Sequence, residues 1–345
     1  MSKIVGLDVG YGFVKITDGD FGYSFPSVVG DSHNKQTFRM GLQNQPPINE
    51  IKIGLGNKNY FVGKSSIRHS KFVYRGLSDT RSEGNDLQIL FFAALSLFCN
   101  GPVNNFKVVT GLPPGRMNLM EDLFKQIKTD PRNRNIVTIF KNNKPQEIEI
   151  NINQLEIVPQ PLGTYWFQVL DLWGGRTESI EGRYGIIDVG FGTTDFATIE
   201  DGEYLPEKSR TISVGMATAY KEISEEIFAR YGIERANHAL DEVVIKGKIN
   251  VAGKAIPITD IREEAFQKLA TNVLVELNSF WRIPEYDSLL LSGGGGQAVS
   301  PYLLPYLPQG KLANEPITAN SRGYLIWGNR LWKNASELDS GDGNG

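Results

Sequence analysis

One stretch governs what this chain can fold into: Tyr184 to Gly202, YGIIDVGFGTTDFATIEDG. The apolar pair Ile186-Ile187 runs straight into Asp188. Gly190, Gly192, the hydroxyls of Thr193 and Thr194, and a second acid, Asp195, follow. Alternation resumes at Phe196 and Thr198 and stops at Asp201-Gly202, a dipeptide suited to tight hairpin turns. The pattern predicts a strand, a glycine-rich turn and a second strand pairing back. An acid where a buried strand meets a turn usually faces a cleft, and small residues after it let backbone N–H groups approach an anion. Taken alone, the stretch fits an ordinary hairpin with an acidic tip equally well.

The chain repeats it. Ile4 to Gly19 reads IVGLDVGYGFVKITDG, and setting Asp8 against Asp188 aligns Gly10 with Gly190, Tyr11 with Phe191, Gly12 with Gly192 and Lys15 with Asp195. Both copies end in an Asp-Gly pair, Asp18-Gly19 and Asp201-Gly202. Copies this far apart are not a short-period array. They predict an α/β protein of two related domains facing each other across a cleft, each offering one phosphate-binding hairpin.

A chain of 345 residues, 40% hydrophobic, can fill two cores. Its formal net charge of −3 argues against sequence-independent nucleic-acid binding as the main task. The single cysteine, Cys99, rules out an internal disulfide framework and a multi-cysteine metal site, and fits a reducing compartment. It follows LFFAALSLF and reads as a core thiol. The N-terminus enters a strand with no signal-peptide pattern, and no apolar run reaches transmembrane length. The expectation is a cytoplasmic protein without membrane association.

Taken in order, the first hairpin is followed by a loosely patterned insertion, 28–70, with strand-like pieces at Ile51–Leu55 and Asn59–Val62. Asp86–Phe98 predicts an all-round apolar core helix. Phe106–Thr110 predicts a strand before the turn GLPPG, then a helix over Met117–Lys128 and a strand pair, Ile136–Phe140 with Glu147–Ile152. A strand from Leu155 ends at Pro159-Gln160-Pro161, and Leu162–Leu172 has helical spacing. Gln160 thus stands at a strand-to-helix corner, where its amide is either a plain polar loop group or a group that orients an attacking water. Beyond Gly215, helices are expected over Ala217–Tyr231 and Ala236–Ile245, then a basic hairpin and a long helix to Trp281 capped by Thr259. The apolar strand Ser288–Ser292 ends in Gly293 to Gly296, backbone suited to lying against a flat or charged ligand or to a very tight turn. After Asn320 a closing helix precedes a polar tail.

These residues resemble the actin, hexokinase and DnaK-type chaperone superfamily, whose five signature pieces occur in order. LDVGYGFVK looks like the first phosphate loop, VPQPLGTY the first connector, IIDVGFGTTD the second phosphate loop, LLLSGGGG the adenosine loop and ANSRGYLIWG the second connector. Within it the chain is most similar to plasmid-segregation actins of the ParM/StbA type. The resemblance implies two actin-like (ribonuclease H-like) domains around a nucleotide cleft. These are 1–165 with its insertion at 28–70 and 166–338 with an insertion at 217–281, ahead of a disordered tail, 339–345.

The resemblance also implies roles. Asp8 and Asp188 hold Mg²⁺ through its waters, Lys15 meets the β/γ phosphates, and Gly10, Tyr11, Gly12, Gly190, Gly192 and Thr193 supply N–H donors. Gly215 and Gly293, Gly294 and Gly295 join the nucleotide contacts, and Gln160 takes the water-orienting position. Asp195 matches the acid ending the second loop, and fits a turn-capping role as well. The implied function is an ATPase binding ATP or ADP, with GTP left open, that forms head-to-tail filaments and moves plasmid DNA through a DNA-binding adaptor. The insertion at 28–70, with Lys52 and Lys58, and the block 217–281 are expected in the filament contacts. A small-molecule kinase and a non-filamentous scaffold are the alternatives.

Overall fold

The computed structural model describes residues 2–32, 46–70, 73–74, 86–128, 135–141, 144–178, 180–234 and 240–333. Contacts divide the chain into two units, one of Met1–Leu112, Arg116–Glu178 and Asn320–Gly345, the other of Pro113–Gly115 and Ser179–Ala319.

The first unit opens with β1 (Lys3–Val9), β2 (Phe13–Thr17), β3 (Gly22–Pro26) and β4 (Val29–Asp31). β5 (Lys52–Leu55), β6 (Lys58–Val62), α1 (Lys64–His69), β7 (Val73–Tyr74) and α2 (Asp86–Ser96) follow. Then come β8 (Val103–Leu112), α3 (Met120–Ile127), β9 (Ile136–Lys141), β10 (Lys144–Pro159) and α4 (Leu162–Val169). Their ten strands form one sheet, ordered β3-β2-β1-β8-β10-β9-β5-β6-β4-β7. β1 is buried on both faces from Val5 to Val9, as a central strand must be. The apolar helix α2 supplies Leu90, Phe91, Phe92 and Leu95 to that core, each at most 1% exposed, and Cys99 behind it is buried as expected.

The second unit holds β11 (Arg183–Val189), β12 (Thr194–Glu200), β13 (Glu203–Ile212), α5 (Met216–Tyr231), α6 (Leu240–Lys246), β14 (Lys248–Val251) and β15 (Lys254–Pro257). It continues with α7 (Thr259–Phe280), β16 (Ser288–Ser292), α8 (Gly293–Leu303) and β17 (Gly310–Leu312), and α9 (Ala319–Trp332) ends the described chain. Its main sheet runs β13-β12-β11-β16-β17. β1 pairs antiparallel with β2 and parallel with β8, while β11 pairs antiparallel with β12 and parallel with β16. The repeat seen between the two hairpins therefore extends to five strands of each sheet.

Several boundaries differ from expectation. The strands expected at Glu147–Ile152 and from Leu155 are one, β10, because a register shift between Ile152 and Gln154 lets the ladder to β8 continue. The helix expected from Met117 is 3₁₀ over Pro114–Leu119 and becomes α-helical only at Met120. α4 stops at Val169, because Asp171 Oδ1 accepts the N–H groups of Trp173 (2.8 Å) and Gly175 (2.8 Å) and closes a turn. Thr259 is the first helical residue of α7; the capping position is Ile258 and no side chain caps it.

The division expected at 165/166 also differs: α4 and the chain to Glu178 group with the first unit, and so does α9 from Asn320. Close backbone approach explains α9. A Cβ on Gly6 of β1 would lie 1.9 Å from the Ser321 carbonyl oxygen, and one on Gly323 would lie 1.7 Å from that of Gly163. The insertion at 28–70 is not set apart, since β5 pairs with β9 and joins the large sheet. Nor is the block 217–281, because α5 and α7 share one core with β11. The tail, 339–345, lies outside the described residues.

Candidate functional site

In the first unit the turn after β1 is closed by the Gly10 N–H donating to the Phe13 carbonyl at 3.1 Å, and Asp8 stands directly opposite Lys15. Directly opposed residues share a face, so the two side chains meet. Lys15 Nζ lies 3.0 Å from Asp8 Oδ2, with side chains 15% and 2% exposed. Gln160 completes the group, its Nε2 donating to Asp8 Oδ1 at 3.0 Å. An ionised carboxylate only accepts, so the amide nitrogen must face Asp8. The corner holding Gln160 is fixed by backbone bonds: its N–H donates to the Leu112 carbonyl (2.8 Å), and its own carbonyl accepts from the Tyr324 hydroxyl (2.9 Å). Asp8 and Lys15 of one hairpin and Gln160, 152 positions from Asp8, form one hydrogen-bonded constellation beside Gly10, Tyr11 and Gly12.

The second unit repeats the geometry with different charges. The Gly190 N–H donates to the Thr193 carbonyl at 2.9 Å, and Asp188 opposes Asp195, so the position of Lys15 is taken by an acid. Both acids are 3% exposed. Asp195 Oδ1 accepts from Thr211 Oγ1 at 2.6 Å, and Thr211 Oγ1 accepts from the Gly115 N–H at 2.9 Å. The Met216 and Ala217 N–H groups at the start of α5 donate to the Gly190 (3.1 Å) and Phe191 (2.7 Å) carbonyls. Gly215 is needed for that join: its Cβ would lie 2.7 Å from the Phe191 oxygen.

The glycines after β16 split into two kinds. Gly293 has φ +84°, and a Cβ there would lie 2.3 Å from the Val189 carbonyl oxygen and 2.4 Å from Asp188 Oδ1. A Cβ on Gly295 would meet Val189 at 2.7 Å. Gly294 is exposed on the first turn of α8, and a Cβ added there would meet nothing within 4 Å beyond its own turn of helix. The fold therefore demands glycine at 293 and 295 but not at 294, where the space is open for a ligand.

Asp8, Gly10, Tyr11, Gly12, Lys15 and Gln160 lie in the first unit, and Asp188, Gly190, Gly192, Thr193, Asp195, Gly215 and Gly293 to Gly295 in the second. Among the described residues no group of three or more His, Cys, Asp or Glu could hold a metal ion. Sequence reasoning missed Thr211, Gly115 and Tyr324, whose roles depend on strand register and helix packing and leave no local motif.

Comparisons with known proteins bear on the fold. A model of the actin-like protein N-terminal domain matches residues 6–163, and one of the archaeal actin homologue MreB-like C-terminal region matches 186–304. An archaeal actin homolog of Thermoplasma acidophilum is 25% identical over 307 residues, 86% of this chain and 88% of that protein. Among solved structures, a 15-stranded ParM filament from Clostridium botulinum matches with a TM-score of 0.78 at 24% identity, covering 96% of this chain and 100% of that one. The archaeal actin homolog Ta0583 in complex with ADP matches with a TM-score of 0.76 at 21% identity, covering 94% and 98%. Two actin-like models thus match in succession, and the chain has the two-domain actin-like fold of these solved structures and is similar to ParM.

Proposed function

We propose that the chain is a nucleotide-dependent ATPase that polymerises head to tail, hydrolyses ATP slowly in the filament and segregates plasmid DNA through a DNA-binding adaptor. The observation carrying this reading is the Asp8–Lys15–Gln160 constellation beside a glycine turn. Phosphoryl transfer needs positioning and charge stabilisation more than covalent help from the protein, and these three groups offer both. Mg²⁺, when bound with the nucleotide, would neutralise phosphate charge; Asp8 and Asp188 suit it, since Mg²⁺ keeps most of its waters and takes few protein ligands.

Lys15 would meet the phosphates, and its link to Asp8 fixes the ammonium in advance. Gly10, Tyr11, Gly12, Gly190, Gly192 and Thr193 would supply backbone donors, and Gly294 would lie against the adenosine. With its nitrogen committed to Asp8, Gln160 has its amide oxygen left to hold the attacking water. The proteins named above support self-association and nucleotide binding: one is a ParM filament, another an ADP complex. A metabolite kinase, the alternative, would need a base for its acceptor hydroxyl; the candidate, Asp195, is engaged by the Thr211 hydroxyl. Among the described residues no helix is long and apolar enough to cross a membrane; a cytoplasmic site of action is part of the proposal.

Light scattering on adding Mg·ATP tests the reading. It should rise above a critical concentration and fall as ADP accumulates. A chain that stays monomeric at every salt concentration tried removes the filament reading.

A further inference from the structure

The two hairpins each extend into a row of directly opposed residues across three strands. In the first unit the row is Asp8, Lys15 and Ser24; in the second it is Asp188, Asp195 and Thr211. Residues so opposed point to one face of the sheet. The first row contains its own cation, Lys15 at 3.0 Å from Asp8. The second row places two acids side by side, each 3% exposed, and ends in a hydroxyl.

Thr211 ties this row to the backbone. The Gly115 N–H, 2.9 Å away, can only donate, so it occupies one lone pair of Thr211 Oγ1. The hydroxyl in turn donates to Asp195 Oδ1 at 2.6 Å. Gly115 fits this arrangement closely: a Cβ there would lie 3.1 Å from Thr211 Cβ.

We infer that Thr211 is a positioning residue, whose hydroxyl, held by the Gly115 N–H, keeps the Asp195 carboxylate aimed along the row it shares with Asp188, and thereby sets how tightly the second hairpin holds the divalent cation that accompanies the nucleotide. The inference rests on the nucleotide-binding reading above. It names a residue outside every motif of the chain, acting through Asp195 and not by touching the phosphates.

The test uses the full chain and a fluorescent ADP analogue, titrated at stepped Mg²⁺ concentrations with an EDTA baseline. Thr211→Val should raise the Mg²⁺ concentration giving half-maximal binding about tenfold or more, the usual scale for losing a hydrogen bond to a charged group. The EDTA baseline should stay near wild type, and Thr211→Ser should restore the Mg²⁺ dependence. In an Asp195→Asn background, adding Thr211→Val should change nothing further, which a merely structural role would not produce. Thr211→Ala serves if Thr211→Val does not fold. An unchanged Mg²⁺ midpoint in the hydroxyl-deleted variant, or an equal effect with and without Asp195, overturns the inference while leaving nucleotide binding intact. A wild-type chain that binds no nucleotide at any Mg²⁺ concentration overturns the reading beneath it instead.

Discussion

Two neighbouring glycines of α8 should respond in opposite directions to the same substitution. Gly293 has φ +84°, and its added Cβ would stand 2.3 Å from the Val189 oxygen and 2.4 Å from Asp188 Oδ1. The left-handed conformation costs a non-glycine residue about 1–2 kcal/mol. Forcing the strand backbone and Asp188 aside adds about 1–3 kcal/mol. Gly293→Ala should therefore destabilise the nucleotide-free protein by about 2–5 kcal/mol. Gly294 is helical and exposed, with nothing beyond its own turn of helix within 4 Å of its Cβ position. Gly294→Ala should stabilise the free protein by about 0.5–1 kcal/mol, because alanine loses less backbone entropy in a helix.

Ligand separates the two further. At a hundredfold excess over its dissociation constant, a ligand adds about 2.7 kcal/mol to stability. Urea unfolding with and without Mg·ADP, at a concentration saturating for wild type, reads both effects. Gly294→Ala should show the raised baseline but lose most of the ADP increment, since its methyl would occupy the space assigned to the adenosine. A Gly294→Ala protein with a lowered baseline would refute the packing argument. One with the full wild-type increment would refute the placement of the nucleotide.

Gln160→Ala should bind nucleotide nearly as wild type but release phosphate about a hundredfold more slowly, by analogy with water-orienting glutamines elsewhere, and its filaments should persist; unchanged phosphate release would remove Gln160 from the mechanism. Lys52 is unsuited to charge reversal because its ammonium lies 4.2 Å from the Phe140 ring centroid and 5.5 Å from that of Phe61, and burial lowers its pKa. The exposed Lys58 is the cleaner probe: Lys58→Glu should raise the critical concentration for assembly without changing monomer nucleotide affinity, and wild-type assembly would exclude β6 from the contact. Burial pushes the Cys99 thiol up to about 12, so a thiol reagent at pH 8 should label it only as the chain unfolds. Rapid native labelling would contradict its place behind α2.

Much of the site was legible because it is local. Asp8 and Gly10, or Asp188 and Gly190, lie within three residues of each other, and a strand followed by a glycine turn fixes their geometry almost unaided. The in-register repeat was legible for the same reason, since matching turns impose matching cross-strand pairs. Boundaries that hinge on side-chain hydrogen bonds were not. Nothing in the spacing of Leu162 to Leu172 announces that Asp171 closes a turn, and Thr259 has a capping residue's identity without its position.

By itself the sequence determined the two hairpins, their acids, the glycine turns and the apolar helix α2, all of which depend on propensity and periodicity over a few residues. Tertiary structure alone decided which glycines are structural, because Gly6 and Gly323 are required by backbone brought from elsewhere in the chain. It also decided that α9 belongs with the first unit, that β10 is one strand, and that Gln160 turns its amide nitrogen to Asp8 across 152 positions. A hydrogen bond or a van der Waals collision acts over about 3 Å in space whatever the separation in sequence, so such partners become visible only once the chain has folded.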